Sequence, residues 1–353
     1  MYTLGKKLRF SLFGRSHAPC VGCILEGVPQ GTAVDMDSMA ADMALRKPSS
    51  GIGTDRKEAD RVDVICGIVD GKADGNPIIL EIANGDVDDS KYLPFQETPR
   101  PGHADLPAIL KMPKFDITGG GQFSGRLTAP IVAAGSIAKG MLAEKGIEIA
   151  AFCRAIGGIR DANERTIKDA KKSREFPTRA ASKELHTFMD GEIMNARKDG
   201  DSVGGIVECF VTGLPIGFGG IWFESLDAEI AGAMYGIPAC KGVEFGKGFE
   251  LCQMRGSESN DAYRMKDGKI VTETNNMGGV VGGMSDGQPL VFRVAFKPTP
   301  SIAKKQDTVN IKTCENAELE IKGRHDPCIA PRAVAVVEAV TALVIADQME
   351  RGL

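Results

Sequence analysis

Ser16-His17, Arg100-Pro101-Gly102-His103-Ala104-Asp105 and Arg324-His325-Asp326-Pro327-Cys328 contain three of the four histidines in this chain. Each lies in or beside a Gly- or Pro-containing turn, with an arginine, a carboxylate or a hydroxyl next to it. Imidazole exchanges a proton near neutral pH, and a neighbouring guanidinium can hold an anion while it does so. The pairing suits general acid–base work on an anionic substrate, such as a phosphate ester whose leaving oxygen needs a proton. In the segment from Arg100, Asp105 reads as a cap for a following helix. Ser16 and His17 are adjacent, so on a strand they point to opposite faces, and no Gly-x-Ser-x-Gly elbow is present. His17 therefore reads as an acid in its own right, with Ser16 as a hydrogen-bond relay; the structural alternative is a turn histidine satisfied by backbone. Asp326 is held extended by Pro327 and could relay a proton or orient a ring nitrogen.

Three further segments offer seats for anions or a flat ring. Gly119-Gly120-Gly121 runs through Gln122-Phe123-Ser124-Gly125-Arg126 into an apolar helix, and such an approach presents free N–H groups to an anion. It is neither a phosphate-binding P-loop nor a dinucleotide fingerprint. The doubled glycines of Asn275–Gly283 allow backbone to lie against a ring, and Lys297-Pro298-Thr299-Pro300-Ser301 could grip a phosphate. Seen alone, these two segments are a hairpin and a loop. Arg46, Arg56 and Arg332 are further cations near turns or helix ends, each by itself a solvated surface arginine.

The elements that must position these residues are legible from periodicity. Leu8–Phe13, Cys20–Leu25, Val62–Val69, Pro77–Ala83, Ile147–Phe152, Val203–Thr212 and Leu290–Phe296 are predicted strands, rich in Val, Ile and Phe. Helices are predicted at Met36–Leu45, entered through Asp35, and at Leu127–Leu142, Asp227–Met234 and Ala330–Met349. Ala133, Ala134, Gly135, Ala138 and Gly140 let the second of these approach its neighbours closely, which makes it central. Ala162–Lys198 is polar and reads as a surface excursion with helix content. Strands and helices mix without regular βαβ alternation, so the fold class is α+β, in one domain over 1–353.

A hydrophobic content of 42% with 25% charged residues is that of a soluble protein. The net charge of −4 gives no reason to expect nucleic acid or an anionic membrane as partner, which makes local arginine clusters more telling. No run of about 18 apolar residues suggests a membrane span, and no signal peptide is expected. The nine cysteines, an odd number without a framework, point to reduced thiols in the cytoplasm. Cys20-Val21-Gly22-Cys23 opens a predicted strand, so it reads as structural thiols rather than a zinc or redox site; no metal is expected.

Taken in order along nearly the whole chain, the turns at Gly14–Pro19, Arg100–Asp105, Gln122–Thr128, Lys297–Ser301 and Arg324–Cys328 resemble the chorismate synthase family. Asp201–Gly205, Lys241–Gly246 and Gly287–Pro289 add landmarks. The resemblance implies trans-1,4-elimination of phosphate from 5-enolpyruvylshikimate 3-phosphate to give chorismate, on reduced FMN. NADPH or an external flavin reductase is then a possible reductant. It also implies a β-α-β sandwich, with a helical layer between antiparallel sheets, and a homotetramer. By motif position, His17 would keep the reduced flavin correctly protonated and His103 would supply acid near the departing phosphate. Ser16 and Asp326 would relay the proton away from the flavin. Arg46, Arg100, Arg126 and Arg324 would hold the substrate's anionic groups or the flavin's edge. Gln122, Phe123, Ser124, Pro238, Ala239 and Gly282 would line the flavin, and Lys297, Pro298, Thr299, Pro300 and Ser301 would receive its phosphate.

Three departures accompany the resemblance. Ile52 stands where the family usually has an arginine, which Arg56 or Lys47 could replace. Gln122-Phe123-Ser124-Gly125-Arg126-Leu127-Thr128 stands for the commoner Arg-Ser-Ser-Ala-Arg-Glu-Thr. Arg15 stands for a usual glutamate. A flavin oxidoreductase using NAD(P)H would account for the glycine and Lys/Thr/Ser segments but leave the Arg100–His103 pair idle. A non-catalytic flavin- or anion-binding protein would need no such histidines.

Overall fold

The runs rich in Val, Ile and Phe pair into two five-stranded sheets in a computed structural model that describes residues 2–48, 52–53, 60–85, 92–112, 114–321 and 326–353. In spatial order the first sheet is Tyr2–Leu4, Arg9–Gly14, Cys20–Glu26, Ile78–Ala83 and Asp63–Cys66. The second is Cys240–Phe245, Leu290–Phe296, Gly205–Thr212, Glu148–Ile156 and Ile159–Arg160. Every neighbouring pair in both is antiparallel.

The helices among the described residues are α1 (Met36–Arg46), α2 (Asp105–Lys111), α3 (Thr128–Ala143), α4 (Ile167–Lys172), α5 (Lys183–Lys198), α6 (Leu226–Tyr235), α7 (Gly256–Ser259) and α8 (Ala330–Arg351). Asp35 caps α1, its carboxylate accepting from the N–H groups of Asp37 and Ser38. α3 lies on the first sheet, α8 on the second, and the two pack against each other with α1 alongside, so these three helices form a layer between the sheets. The close approach has a visible cause: a Cβ on Gly135 would sit 2.3 Å from the Cβ of Ala339. One buried charge crosses this layer. Glu338 of α8 accepts from the Ala151 N–H at 2.9 Å and pairs with Lys139 of α3 and with Arg174; Lys139 also reaches Asp42 of α1.

The architecture is the α+β sandwich expected, with local differences. The predicted strand Val62–Val69 breaks at Gly67, whose φ of +89° no extended residue adopts, and Ile68–Val69 turns back onto Lys72–Ala73. Hairpins at Tyr263–Thr272 and Gln306–Leu319 were not anticipated, because their strands are mostly polar and exposed and carry little apolar alternation. Among the described residues no helix is long and apolar enough to cross a membrane. Cys23 is buried, and burial pushes its thiol up to about 12, as a structural thiol requires. At one end of the helical layer the C-terminus of α1 meets the N-termini of α3 and α8: Arg46 reaches Thr128 at 3.4 Å, and Arg332 donates to the Arg46 carbonyl at 3.0 Å.

Candidate active site

Two helix N-termini converge there, each with N–H groups unpaired within its own helix, so the end of the layer favours an anion before any side chain is counted. The turn between strands Arg9–Gly14 and Cys20–Glu26 brings Ser16 and His17 to this end. The segment Thr118–Phe123 runs across them as a strap. Its glycines all have positive φ, and Gly119 is pressed so closely that a Cβ would lie 2.3 Å from His17 Cδ2 and 2.7 Å from Ser16 Oγ. Only glycine fits there. Arg15 pairs with Asp116 at 3.1 Å, tying the turn to the residues that lead into the strap. The His17 ring meets Tyr92 edge-on with centroids 5.3 Å apart. Ser16 is buried, and its Oγ has no hydrogen-bond partner among the described residues.

His103 faces the next residue of the strap; a Cβ on Gly120 would stand 3.8 Å from its Nε2. Its Nδ1 lies 2.5 Å from Asp105 Oδ1. Arg100 donates to the same carboxylate through Nε at 2.7 Å and through its second terminal nitrogen at 2.9 Å, and reaches Ser301 Oγ at 3.2 Å. The guanidinium lies over the Phe95 ring, 4.7 Å from its centroid. Burial by itself would raise the Asp105 pKa, but the bonds from Arg100 and His103 outweigh it and hold the carboxyl well below the usual range. Asp105 is the first residue of α2, whose N-cap, Ala104, makes no side-chain cap. The expected cap is thus an orienter of Arg100 and His103.

The cations beside the Ser16–His17 turn form a second arrangement. Arg46 and Arg126 both pair with the buried Asp60, Arg46 at 2.5 Å. Arg126 also donates to the Ala83 carbonyl at 2.9 Å and to Asn84 Oδ1 at 2.8 Å. Asn84 in turn donates to the carbonyls of Arg15 and Ala18, so one amide fixes the distance from Arg126 to the His17 turn. Burial lowers the Arg46 pKa against the pull of Asp60; Arg46 Nε is buried without a partner among the described residues. Asp60 is depressed in spite of burial, because the two guanidiniums hold it ionised. Neither Asp60 nor Asn84 was singled out from sequence; only their contacts reveal them.

Asp326 pairs with Arg332, and its carbonyl accepts from Thr299 Oγ1 at 2.8 Å. This ties the α8 N-terminus to the Lys297–Ser301 segment, which Arg100 reaches through Ser301. The Lys297 N–H donates to the Ala239 carbonyl at 3.0 Å, placing Pro238 and Ala239 beside that segment. Burial and the nearby Lys241 charge lower the Lys297 pKa. Gln122 donates to Met112 Sδ at 3.5 Å, Phe123 packs on Phe115, and Ser124 Oγ accepts from the Arg126 N–H. Ile52 is buried; Arg332, at the carbonyl of Arg46, is a described cation near that stretch, whereas Arg56 lies outside the described residues. Arg324 and His325 also lie outside them.

Gly282 is not brought to this centre by the single chain. Gly283 packs near Gln348 at the far end of α8, through Gly219, and sixteen residues of helix separate Gln348 from Arg332, about 24 Å. Gly282 instead shares a shallow depression with Ile221 and Trp222. Among the described residues no group of three His, Cys, Asp or Glu side chains could hold a metal.

The residues that do converge are a buried hydroxyl, two imidazoles, buried guanidiniums and a glycine strap at two helix N-termini. The family model for chorismate synthase matches residues 8–349. The chorismate synthase of Korarchaeum cryptofilum is 46% identical over 352 residues, 99% of this chain and 97% of that protein. The chorismate synthase of Thermococcus kodakarensis is 46% identical over 348 residues, 98% and 97% of the two chains. A crystal structure of a chorismate synthase superposes with a TM-score of 0.78 at 29% identity, covering 99% of this chain and 93% of the other.

Proposed function

The chain belongs to the chorismate synthase family, and from that membership we propose that the centre described above carries out the trans-1,4-elimination of phosphate from 5-enolpyruvylshikimate 3-phosphate. This is a carbon–oxygen lyase reaction of aromatic amino acid biosynthesis. One observation carries the assignment of the site: Ser16-His17 and Arg100-His103-Asp105 meet the same glycine strap beside the buried Arg46–Asp60–Arg126 cluster.

The residues fit a flavin and a substrate bearing several negative charges. Ser16 Oγ and Arg46 Nε, without partners among the described residues, are buried polar atoms that a ligand would satisfy. Lys297 and Lys241 lie close enough for one charge to depress the other's pKa, a repulsion that a phosphate dianion would relieve. Lys297–Ser301, with Pro238 and Ala239, would hold FMN at its phosphate end; Gln122, Phe123 and Ser124 would line it. Reduced FMN, when bound, supplies the electron and proton acceptance that removal of an unactivated hydrogen needs in a redox-neutral elimination. NADPH or an external flavin reductase would keep it reduced.

Arg46, Arg126 and Arg324 hold the substrate's carboxylates and phosphate; Arg100, occupied on Asp105 and Ser301, anchors His103. The two imidazoles supply separate protons, one to the departing phosphate oxygen and one that keeps the flavin in its working protonation state. Ser16 Oγ and Asp326 Oδ carry away the proton released from carbon. Motif position assigns the phosphate to His103 and the flavin to His17. The connectivity favours the exchange of these two roles: Asn84 ties the His17 turn to Arg126, while Arg100 ties His103 to Ser301 in the flavin-phosphate segment. Reduced-flavin absorbance against pH in His17→Ala and His103→Ala separates the two, since only loss of the flavin-side imidazole moves that titration.

We read the chain as one domain, because a single apolar core runs through both sheets and the helical layer. It works as a homotetramer, and the exposed Trp222 and Phe223, 81% and 94% accessible, are surface for such contacts. A cytoplasmic setting fits nine free cysteines. The test is anaerobic: protein with dithionite-reduced FMN and 5-enolpyruvylshikimate 3-phosphate yields chorismate absorbance and phosphate in equal amounts, with the flavin still reduced. Consumption of NAD(P)H without phosphate release would put an oxidoreductase in its place.

A further inference from the structure

Among the described residues every hydrogen bond of the Asp105 carboxylate goes back to the loop before it. The backbone N–H, Nε and a terminal nitrogen of Arg100 donate to it, and His103 Nδ1 lies 2.5 Å from Oδ1. The carboxylate is fully buried and ionised, and therefore an acceptor only. Arg100 also stands 3.2 Å from the same ring nitrogen, but it can only donate. A proton on Nδ1 thus has one acceptor within reach among the described residues, and a bare Nδ1 would leave Asp105 Oδ1 facing a lone pair at 2.5 Å. Nε2 then points towards the glycine strap.

We propose that Asp105 is a positioning residue for the elimination: its carboxylate fixes His103 with the proton on Nδ1 and leaves Nε2 to exchange a proton with the reacting groups. The inference rests on the reading of His103 as an acid–base residue and adds the group that selects its working nitrogen. The Nδ1–H stays on Asp105 while the Nε2 proton comes and goes. Arg100 holds the carboxylate from the other side, and its bond to Ser301 sets the pair against the Lys297–Ser301 segment.

Solid-state 15N spectra of histidine-labelled protein test this, with His103 identified through its loss in His103→Gln. The wild-type protein shows Nδ1 protonated and Nε2 bare in the neutral ring. In Asp105→Asn the amide can donate to Nδ1, the proton moves to Nε2, and kcat falls by roughly 10²–10⁴-fold with KM within about twofold. Asp105→Glu recovers part of the rate. A wild-type ring protonated on Nε2 overturns the proposal, and that spectrum decides alone if the Asn variant does not fold. Asp105→Asn with kcat within about threefold of wild type also overturns it, as does a rate loss with the tautomer unchanged. Wild-type protein that makes neither chorismate nor phosphate, with Nδ1 protonated, instead removes the elimination reading and with it the catalytic use of the pair.

Discussion

Asp60→Asn separates a charge held for function from one that merely packs. Asp60 is 2% exposed at its side chain and lies between Arg46 and Arg126, each 3% exposed. Neutralising it keeps the volume and leaves two buried guanidiniums facing each other without their counter-ion. Breaking a buried pair in this way costs about 3–5 kcal/mol, most of it the desolvation of the charges left behind. With an unfolding entropy of about 2 cal/mol/K per residue, that is a fall in Tm of about 4–7 °C for a chain of this length. Calorimetry should show that fall near neutral pH. The folded pKa of Asp60 is depressed, so its contribution is complete above the unfolded value of about 4 and is lost as pH falls towards the folded value. The gap between wild type and variant should therefore shrink on acidification below about pH 4. Inorganic phosphate should also narrow it, since an anion can take the place of the missing carboxylate between the arginines. A variant within 1 °C of wild type, or equal stabilisation of both proteins by phosphate, would refute the reasoning that these guanidiniums are buried on a shared counter-ion next to an anion site.

Gly119→Ala should lose at least about 10²-fold in turnover, because the new methyl displaces His17 and an ångström of misplacement is worth that much; the left-handed φ adds about 1–2 kcal/mol of strain, so Tm falls only a few degrees. A steady-state assay showing wild-type turnover would remove His17 from the site. Asn84→Ala takes from Arg126 a charge-assisted bond worth about 1.5–3 kcal/mol, and should raise substrate KM roughly tenfold or more with a smaller change in kcat. An unchanged KM would mean that Arg126 does not touch substrate. Gly135→Ala should destabilise by about 1–3 kcal/mol through overpacking between α3 and α8, and Ala339→Gly should restore part of the loss, because the clash includes Ala339 backbone as well as its Cβ. Thermal unfolding of the single and double variants measures it.

The sheets and the main helices were legible because burial leaves an apolar imprint on the sequence: Leu290–Phe296 alternates buried and half-buried residues along its length, with the bounds predicted, while α3 and α8, buried on nearly all sides, are long runs of small and apolar residues. Gly135 was legible as a contact residue because a run of small side chains has few other uses in a helix. Hairpins such as Gln306–Asn310 with Glu315–Leu319 were not, since strands made mostly of polar residues, with Leu319 alone buried, impose no apolar pattern. The site divides in the same way. Histidines and arginines in Gly/Pro turns are conspicuous, but the residues that orient them look ordinary. Asp60, Asn84 and Asp105 are acids and amides of the kind that cap helices and turns throughout a soluble protein. Nothing local distinguishes Asp105 from a cap; its partners Arg100 and His103 are five and two residues before it, and only the folded turn shows them sharing one carboxylate. The placement of Gly282 at the far end of α8 is likewise a property of topology.

A chain with net charge −4 that must seize an anionic substrate has to gather cations without paying to bury them bare, and the two arginine clusters solve this alike. Arg100 is matched by Asp105, and Arg46 with Arg126 shares Asp60, so each buried carboxylate neutralises guanidinium charge in the resting protein. The consequences differ. The Arg100–Asp105 pair is balanced, and its hydrogen bonds are spent on His103 and Ser301, so it contributes direction more than charge. The Arg46–Asp60–Arg126 group carries one positive charge in excess and a buried N–H with no described partner, so it contributes attraction. Removing Asp105 should therefore act on kcat, and removing Asn84, which aims Arg126, on KM. Equal losses in both parameters from either change would mean that the clusters are a single electrostatic unit, and the division of labour between them would have to be given up.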